Sequence, residues 1–487
     1  MAESKIIDGM GLRRAATISI VSLMLNMGAV RRGNGEERLD FKTLFYQESD
    51  DRIRVIAPSI EYEREFDNGF SLRIEGTYNA ISGATPTGAP PIEEVVRVVT
   101  IPQVVTAPSA APGAPLRYDD DDSDGDSDGG FEGGGGGAAG GPLSAPVFEG
   151  GAAPEAAVAT AVPVKGGAPQ AMAAATPAPR AAAPSPSAGG GGGSASTQYT
   201  QREIRERVPT DTVPKQEIDD TRIGLNLEVG KRLGRHKPSA VFALSLESDY
   251  RSIGVSLKDS IDFNRKNTTV LLGVGGTFDE VDGLNVESAE SKTTYEAIAG
   301  ITQVLTRKTL GTVNLSVGTT DGYLSDPYKF VEIDEVLYAE NRPGSKDKWV
   351  LYTALTHHVE RLNGSAEVSF RHYDDSFGIE SDTLGLAWYQ KIGDHLVVRP
   401  ALRYYTQSAA DFYGVLFAGA PQYYSSDYRV SAFDAIGYGL KLVVKPSEHL
   451  AFDIAFERYS QDGTDGVTLD DAYVSSSYLI MGLRLWL

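Results

Sequence analysis

The sequence predicts an all-β membrane protein: a transmembrane antiparallel up-and-down β-barrel of about 16 strands, carrying one long disordered external loop. Three observations predict it. Segments of strand length alternate apolar and polar residues with a period of two. Short and long connections alternate along the chain, and the last segment keeps one apolar face up to the terminal residue.

Composition bounds the choice. A chain of 487 residues has room for two or three soluble domains, but its 53 glycines and 25 prolines are too many for an ordinary globular chain, and most of the excess lies in one tract. A formal charge of −21 argues against nucleic acid as a partner, because phosphate neutralisation needs clustered Lys and Arg. The absence of cysteine excludes disulfides, thiolate metal sites and cysteine nucleophiles. Mean hydropathy of −0.21, with no long apolar run beyond the N-terminus, excludes a helical membrane protein. A barrel is compatible with it, since strands that alternate faces average to near-neutral hydropathy.

Residues 1–30 read as a signal peptide. Arg13 and Arg14 form a basic start, and the apolar stretch Ala15 to Met27 follows, with cleavage expected near Ala29. Residues 31–83 read as the first barrel strands, 84–217 as a low-complexity insertion, and 218–487 as the remaining strands. The insertion holds the acidic run Asp119 to Asp128, the glycine run Gly133 to Gly137, and an Ala/Pro stretch from Ala152 to Pro186. Such a composition buries too little apolar surface to offset chain entropy, so disorder is expected. The acidic run lacks the ligand spacing and closing Glu of a calcium loop and reads as a solvated tract. Within the insertion, Val95 to Thr100 and Gln103 to Thr106 are apolar enough to pair transiently.

The strands follow from alternation. Leu396, Val398, Pro400, Leu402 and Tyr404 share one face, with Arg399, Arg403 and Gln407 on the other. Ile223, Leu225, Leu227 and Val229 alternate with Arg222, Asn226 and Glu228, and Leu450, Phe452, Ile454 and Phe456 with Asp453 and Glu457. Tight turns are expected at Asp67-Asn68-Gly69, Asn264-Arg265-Lys266, Asn363-Gly364 and Gly393-Asp394. Between them fall long connections at 279–292, 321–347, 374–381, 408–427 and 461–471. Long loops confined to one end distinguish an outer-membrane barrel, with short periplasmic turns, from a soluble sandwich. The segments near 39–47, 53–65, 70–82, 219–233, 239–250, 253–263, 267–279 and 293–306 give half the strands. Those near 309–320, 348–360, 364–374, 381–392, 395–408, 428–445, 448–460 and 473–487 give the rest. An even count puts both termini in the periplasm and makes 84–217 an external loop between the third and fourth strands.

In the last segment Leu479, Met481, Leu483, Leu485 and Leu487 form one apolar face. Gly482, Leu485 and Leu487 resemble the C-terminal signal read by the barrel-assembly machinery, although the chain ends on Leu rather than Phe and has Ile480 where a polar residue is usual. Outer-membrane lipid and that machinery are therefore the expected partners, in the bacterial outer membrane of a Gram-negative cell.

Several ordered stretches carry a family resemblance. They include Arg52-Ile53-Arg54-Val55-Ile56-Ala57-Pro58-Ser59, Tyr323-Leu324-Ser325-Asp326-Pro327-Tyr328-Lys329 and Asn341-Arg342-Pro343. Arg371-His372-Tyr373-Asp374-Asp375-Ser376-Phe377-Gly378-Ile379, Arg399-Pro400-Ala401-Leu402-Arg403-Tyr404-Tyr405 and Tyr424-Ser425-Ser426-Asp427 belong to the same set. Together they resemble the bacterial outer-membrane family known as domain of unknown function 3570, over nearly all of the chain except 84–217. The resemblance implies an outer-membrane barrel and no particular activity.

Two groups of residues are candidates for function. Asp326, Pro327 and Tyr328, with Tyr404 and Tyr405, are expected at the external rim, where Tyr323, Tyr328, Tyr373, Tyr404, Tyr405, Tyr423 and Tyr424 fit an aromatic girdle. Alternation turns Arg371, Arg399, Arg403 and Arg484 inward, together with Glu367, Asp453 and Glu457. Arg371, Arg399 and Arg403 are expected to form a basic strip opposite an acidic one. No enzyme is expected: none of the six histidines has metal-ligand spacing with a supporting carboxylate, and Ser369 and His372 fall on opposite faces of a strand. No cofactor or metal is expected either. The sequence thus points to a porin-like passage for small solutes or a partner. The alternative is a plugged structural or adhesive surface barrel that displays 84–217.

Overall fold

The computed structural model describes residues 37–50, 52–104, 197–286 and 288–487, with backbone alone at 94–104 and 197–206. The predicted signal peptide and the middle of the insertion, 105–196, lie outside the described residues.

The first strands are β1 (Glu37–Glu48), β2 (Arg54–Glu65), β3 (Phe70–Pro86), β4 (Ile92–Val104) and β5 (Thr197–Pro209). Next come β6 (Lys215–Lys231), β7 (His236–Leu246), β8 (Tyr250–Phe263), β9 (Thr268–Val281) and β10 (Glu290–Thr306). Then follow β11 (Thr309–Gly322), β12 (Phe330–Ile333), β13 (Val336–Ala339), β14 (Ser345–Val359) and β15 (Gly364–Asp375). The chain ends with β16 (Glu380–Ile392), β17 (Leu396–Gln407), β18 (Phe433–Ser447), β19 (Leu450–Gly463) and β20 (Ser475–Trp486). Sixteen of these form one closed antiparallel barrel, in the order β1-β2-β3-β6-β7-β8-β9-β10-β11-β14-β15-β16-β17-β18-β19-β20. The seam closes between β1 and β20, from Arg38 opposite Trp486 to Glu48 opposite Ser476. Closure leaves no unpaired edge, which is what lets strands cross hydrocarbon.

The alternation has a physical reading. On β11, Val313, Leu315 and Val317 are 45–48% exposed, while Asn314 between them is buried. The same pattern puts Phe452, Ile454 and Phe456 of β19 outside. Rows of exposed apolar side chains around a closed wall need a lipid solvent, and their polar neighbours line the interior. Tight turns close β2–β3, β6–β7, β8–β9, β10–β11, β14–β15, β16–β17 and β18–β19 at the end that holds both termini. All the longer connections leave from the opposite, external end.

Two boundaries differ from expectation. Part of the stretch expected to be disordered is strand: β3 and β6 stay paired up to Pro86 opposite Lys215, and β4 and β5 pair above them from Ile92–Pro209 to Val104–Thr197. The barrel wall already holds these two chain ends side by side, so continuing the ladder costs little closure entropy. The strand expected from 428 starts at Phe433, because Tyr428–Val430 form a 3-10 turn in which the Asp427 carboxylate accepts the Arg429 N–H at 3.1 Å.

Gly83 shows how tightly the external end is built. Its φ is +125°, and a Cβ there would lie 2.2 Å from the Arg52 carbonyl oxygen. Gly83→Ala is expected to destabilise the β2–β3 rim by about 1–3 kcal/mol, measured as a lower urea midpoint in vesicles.

Candidate functional site

The external loops fold together over the mouth. The segment between β11 and β14 contains the β12–β13 hairpin, and its anchors are spread around the ring. The Phe330 N–H donates to Thr87 O beyond β3 (2.8 Å), and the Lys329 ammonium donates to Pro86 O. The Tyr328 hydroxyl donates to Asp249 between β7 and β8. On the other side, Asn341 and Tyr424, in the β17–β18 connection, exchange backbone hydrogen bonds of 3.1 and 2.8 Å. Phe417 N–H donates to Glu332 O at 3.0 Å. A segment tied to such separated points of the rim must cross the opening.

An ionic knot holds this cap. Arg342 bridges Glu340 and Asp427, 2.8 Å from each carboxylate. Arg429 pairs with Asp427 at 2.6 Å and with Asp326. Ser425 donates to Glu340, and the Asp326 N–H donates to Glu340 Oε2 at 2.6 Å. The side chains of Glu340 and Asp427 are fully buried. Three carboxylates face three cations (Lys329, Arg342 and Arg429), so the burial is electrically balanced. Local sequence prepares it: Pro327 presets a turn in which Asp326 Oδ1 accepts the Tyr328 N–H at 2.9 Å.

Burial opposes ionisation of Asp427, but Arg429, Lys329 and Arg342 overcome it and hold the carboxyl well below the usual range. Burial pushes Glu340 up, with Asp427 and Asp326 adding to it and Arg342 opposing. A depressed carboxyl stabilises the cap wherever its unfolded counterpart is ionised, and that support fades only below about pH 4. A raised carboxyl favours its protonated form, so acidification relieves Glu340. Protease cleavage within 323–344 is therefore expected to hold or fall from neutrality down to about pH 4, as Glu340 takes up its proton, and to rise below it as the support from Asp427 fades.

Below the cap lies a cavity of about 560 Å³, lined among others by Glu367, Arg371, Arg399, Arg403, Tyr405 and Glu457. Among the described residues, none of the three arginines has a carboxylate oxygen within 4.0 Å. Arg399 stacks over Tyr389 (5.1 Å) and Arg371 over Tyr373 (5.4 Å), while the Nε atoms of Arg399 and Arg403 have no hydrogen-bond partner. The inward acids are otherwise engaged: Glu457 accepts the Tyr478 hydroxyl, Glu367 accepts from Thr356 at 3.3 Å, and Asp453 pairs with Lys441 at 3.2 Å. Arg484 is tied to Asp40 at 2.7 Å, outside the group.

The expected strip differs in one respect. Glu367 and Glu457 share the arginines' wall, on β15 and β19, rather than facing it. Acids across the ring include Glu61 on β2, Glu75 on β3 and Glu228 on β6, two of them already bridged: Glu61 by Arg38 (2.7 Å) and Arg73 (2.6 Å), and Glu228 by Lys258 (2.8 Å).

The expected tyrosine girdle also divides. Tyr404 faces outward, 44% exposed, and donates to Asp434 at 2.8 Å. Its neighbour Tyr405 points inward, as strand alternation requires, and donates to Gln407 at 2.6 Å. Tyr323 and Tyr328 are 3% and 2% exposed inside the cap, with Asp326 and Pro327 beside them. Residues lipid-facing in fact include Tyr295 and Tyr438, each 54% exposed. In β20, Gly482 leaves room for Asp453, which a Cβ would approach to 2.3 Å. Leu487 follows the strand, 58% exposed, with its N–H donating to Glu37 O at 2.9 Å. Nothing in the local sequence places Lys329, Glu340, Arg342, Asp427 and Arg429 together. The signal was that Ser-Asp-Pro-Tyr-Lys, Asn-Arg-Pro and Tyr-Ser-Ser-Asp all leave from the same end of the barrel.

A closed sixteen-strand wall with an apolar exterior, a polar lumen and folded external loops defines a bacterial outer-membrane β-barrel protein. The chain belongs to the family described as protein of unknown function (DUF3570), whose model matches residues 14–474. No curated protein matches it. Among solved structures, the outer membrane protein OpdK from Pseudomonas aeruginosa is 7% identical with a TM-score of 0.37, covering 93% of this chain and 99% of its own. The siderophore receptor PirA from Pseudomonas aeruginosa is 8% identical with a TM-score of 0.36, and the match covers 93% of this chain and 62% of that receptor. CdiB from Acinetobacter baumannii is 9% identical with a TM-score of 0.31, over 54% of this chain and 57% of its own.

Proposed function

We propose that the protein is a capped passage for small anionic solutes across the outer membrane, and not an enzyme. One observation carries this reading: Arg371, Arg399 and Arg403 face a lumen cavity without a carboxylate within ion-pair range among the described residues. Three guanidinium groups beside two carboxylates, Glu367 and Glu457, leave the cavity with net positive charge, which attracts anions and repels cations. Arginine's planar fork suits carboxylate or phosphate groups. Barrels of about this strand number are wide enough for water, so the loops set the limit on passage. Outer-membrane lipid and the barrel-assembly machinery, read from Gly482, Leu485 and Leu487, complete the proposed set of partners.

The test is reversal potential in a planar bilayer under a salt gradient. Anion preference is expected for the parent protein and loss of that preference for Arg399→Ala with Arg403→Ala. Unchanged selectivity in a conducting double variant would retire the proposal. The rival reading, a plugged surface barrel displaying 84–217, is favoured by the cap across the mouth. It requires that neither the parent nor cap-opened variants conduct.

A further inference from the structure

A second charged cluster lies at the external rim, apart from both the knot and the arginine cavity. Asp220 is near the external end of β6, and Glu247 and Asp249 are in the β7–β8 connection beside it. Pairing of Ile223 with Leu246 sets the two elements side by side, so the three acids converge. One carboxylate oxygen from each lies within 4.8 Å of those from the other two. Asp220 and Asp249 are 6% and 5% exposed, and the Glu247 side chain is 3% exposed.

The hydrogen bonding leaves acceptors over. Asp220 Oδ1 takes the Thr221 N–H at 2.7 Å, but the buried Oδ2 has no hydrogen-bond partner. Glu247 Oε1 is 3.5 Å from Arg222 Nε, which already donates to Ser245 at 2.8 Å, and the buried Oε2 has no hydrogen-bond partner. Asp249 receives the Tyr328 hydroxyl from the cap. Burial, with Asp249 and Asp220 adding to it and Arg222 opposing, pushes the Glu247 carboxyl up to about 7. Buried carboxylates with orphaned oxygens are paired in proteins with a cation or a metal.

We propose that Asp220, Glu247 and Asp249 bind one Ca²⁺ ion at the external rim. The donors are all hard oxygens, which exclude soft metals in favour of Ca²⁺ or Mg²⁺. Ca²⁺ takes carboxylate oxygens at about 2.3–2.6 Å in flexible geometry, whereas Mg²⁺ demands a near-ideal octahedron and keeps several of its waters. The ion would fasten the β7–β8 connection to the wall and, through Asp249 and Tyr328, to the cap. No sequence motif announces the site, because its ligands are separated by an entire hairpin arm.

The test uses the full-length protein refolded in detergent, with tyrosine-sensitised terbium luminescence and displacement by Ca²⁺. Tyr328 on Asp249 is the expected sensitiser. Two variants divide the signal: Asp220→Asn with Glu247→Gln removes the site, and replacing the acidic run 119–128 by Ser and Gly removes the other carboxylate-rich segment. The expected result is Ca²⁺-displaceable emission that survives loss of the run and falls at least about tenfold in the double variant. Heat-modifiable gel mobility checks that each barrel is folded. The proposal is overturned if emission disappears with the acidic run, if a folded double variant keeps it, or if the folded parent gives none.

Discussion

Arg342→Ala is expected to open the cap while leaving the barrel closed. The guanidinium is shared by Glu340 and Asp427, whose side chains have no solvent access. Its removal leaves two buried carboxylates short of a partner, and such losses cost about 3–5 kcal/mol. Protonation of Glu340, already pushed up by burial, offsets part of this, but Asp427 remains beside Arg429 and Asp326 remains tied to it. The cost falls on the contacts that bind 323–344 to 408–432, because no barrel ladder passes through Arg342. Heat-modifiable mobility should therefore match the parent. Protease cleavage within 323–344 should rise by about two orders of magnitude if about 3 kcal/mol is lost locally. Cleavage at the parental rate would mean that the knot does not hold the cap.

The second large effect separates the two faces of one wall. Leu386 of β16 is 42% exposed on the outer surface, and Ser369 of β15 lines the inner cavity one strand away. Leu386→Arg puts a charge into hydrocarbon near the middle of its strand and is expected to cost about 2–4 kcal/mol. Ser369→Arg puts the same charge into the lumen, where water and Glu367 receive it, and should change stability little while strengthening anion preference. Urea unfolding in vesicles measures the first effect and reversal potential the second. Equal destabilisation by both substitutions would contradict the inward and outward assignment.

Both predictions depend on what alternation can and cannot reveal. The sixteen barrel strands were legible because lipid on one side and water on the other force a period of two at every position. Parity alone was enough to turn Arg371, Arg399 and Arg403 inward and Phe452, Ile454 and Phe456 outward. Parity says nothing about loops. Tyr328 was expected among lipid-facing aromatics, but it lies outside any strand and ends buried against Asp249. Tyr405 failed for the opposite reason: it is in a strand, and its neighbour Tyr404 already occupies the lipid face. The knot joins residues such as Asp326 and Arg429, 103 positions apart, through loops with no repeating pattern. Its members were visible only as separate polar motifs. The β4–β5 pair was masked by charge and by its low-complexity surroundings, although Val95 to Thr100 carried a faint strand signal.

Closure of the passage by a removable cap can be tested on a single molecule. Asn341 and Tyr424 form a hydrogen-bonded antiparallel pair across the two cap segments, a geometry that places Cα atoms about 5.5 Å apart and permits a disulfide. The chain has no cysteine of its own, so Asn341→Cys with Tyr424→Cys creates the only thiols present. Single-channel recording of this variant, first oxidised and then reduced in the bilayer, isolates the cap. Rare or absent openings when oxidised, and discrete anion-preferring steps after reductant, are the predicted result. Equal conductance in both states, or silence in both from protein proven folded, would contradict it.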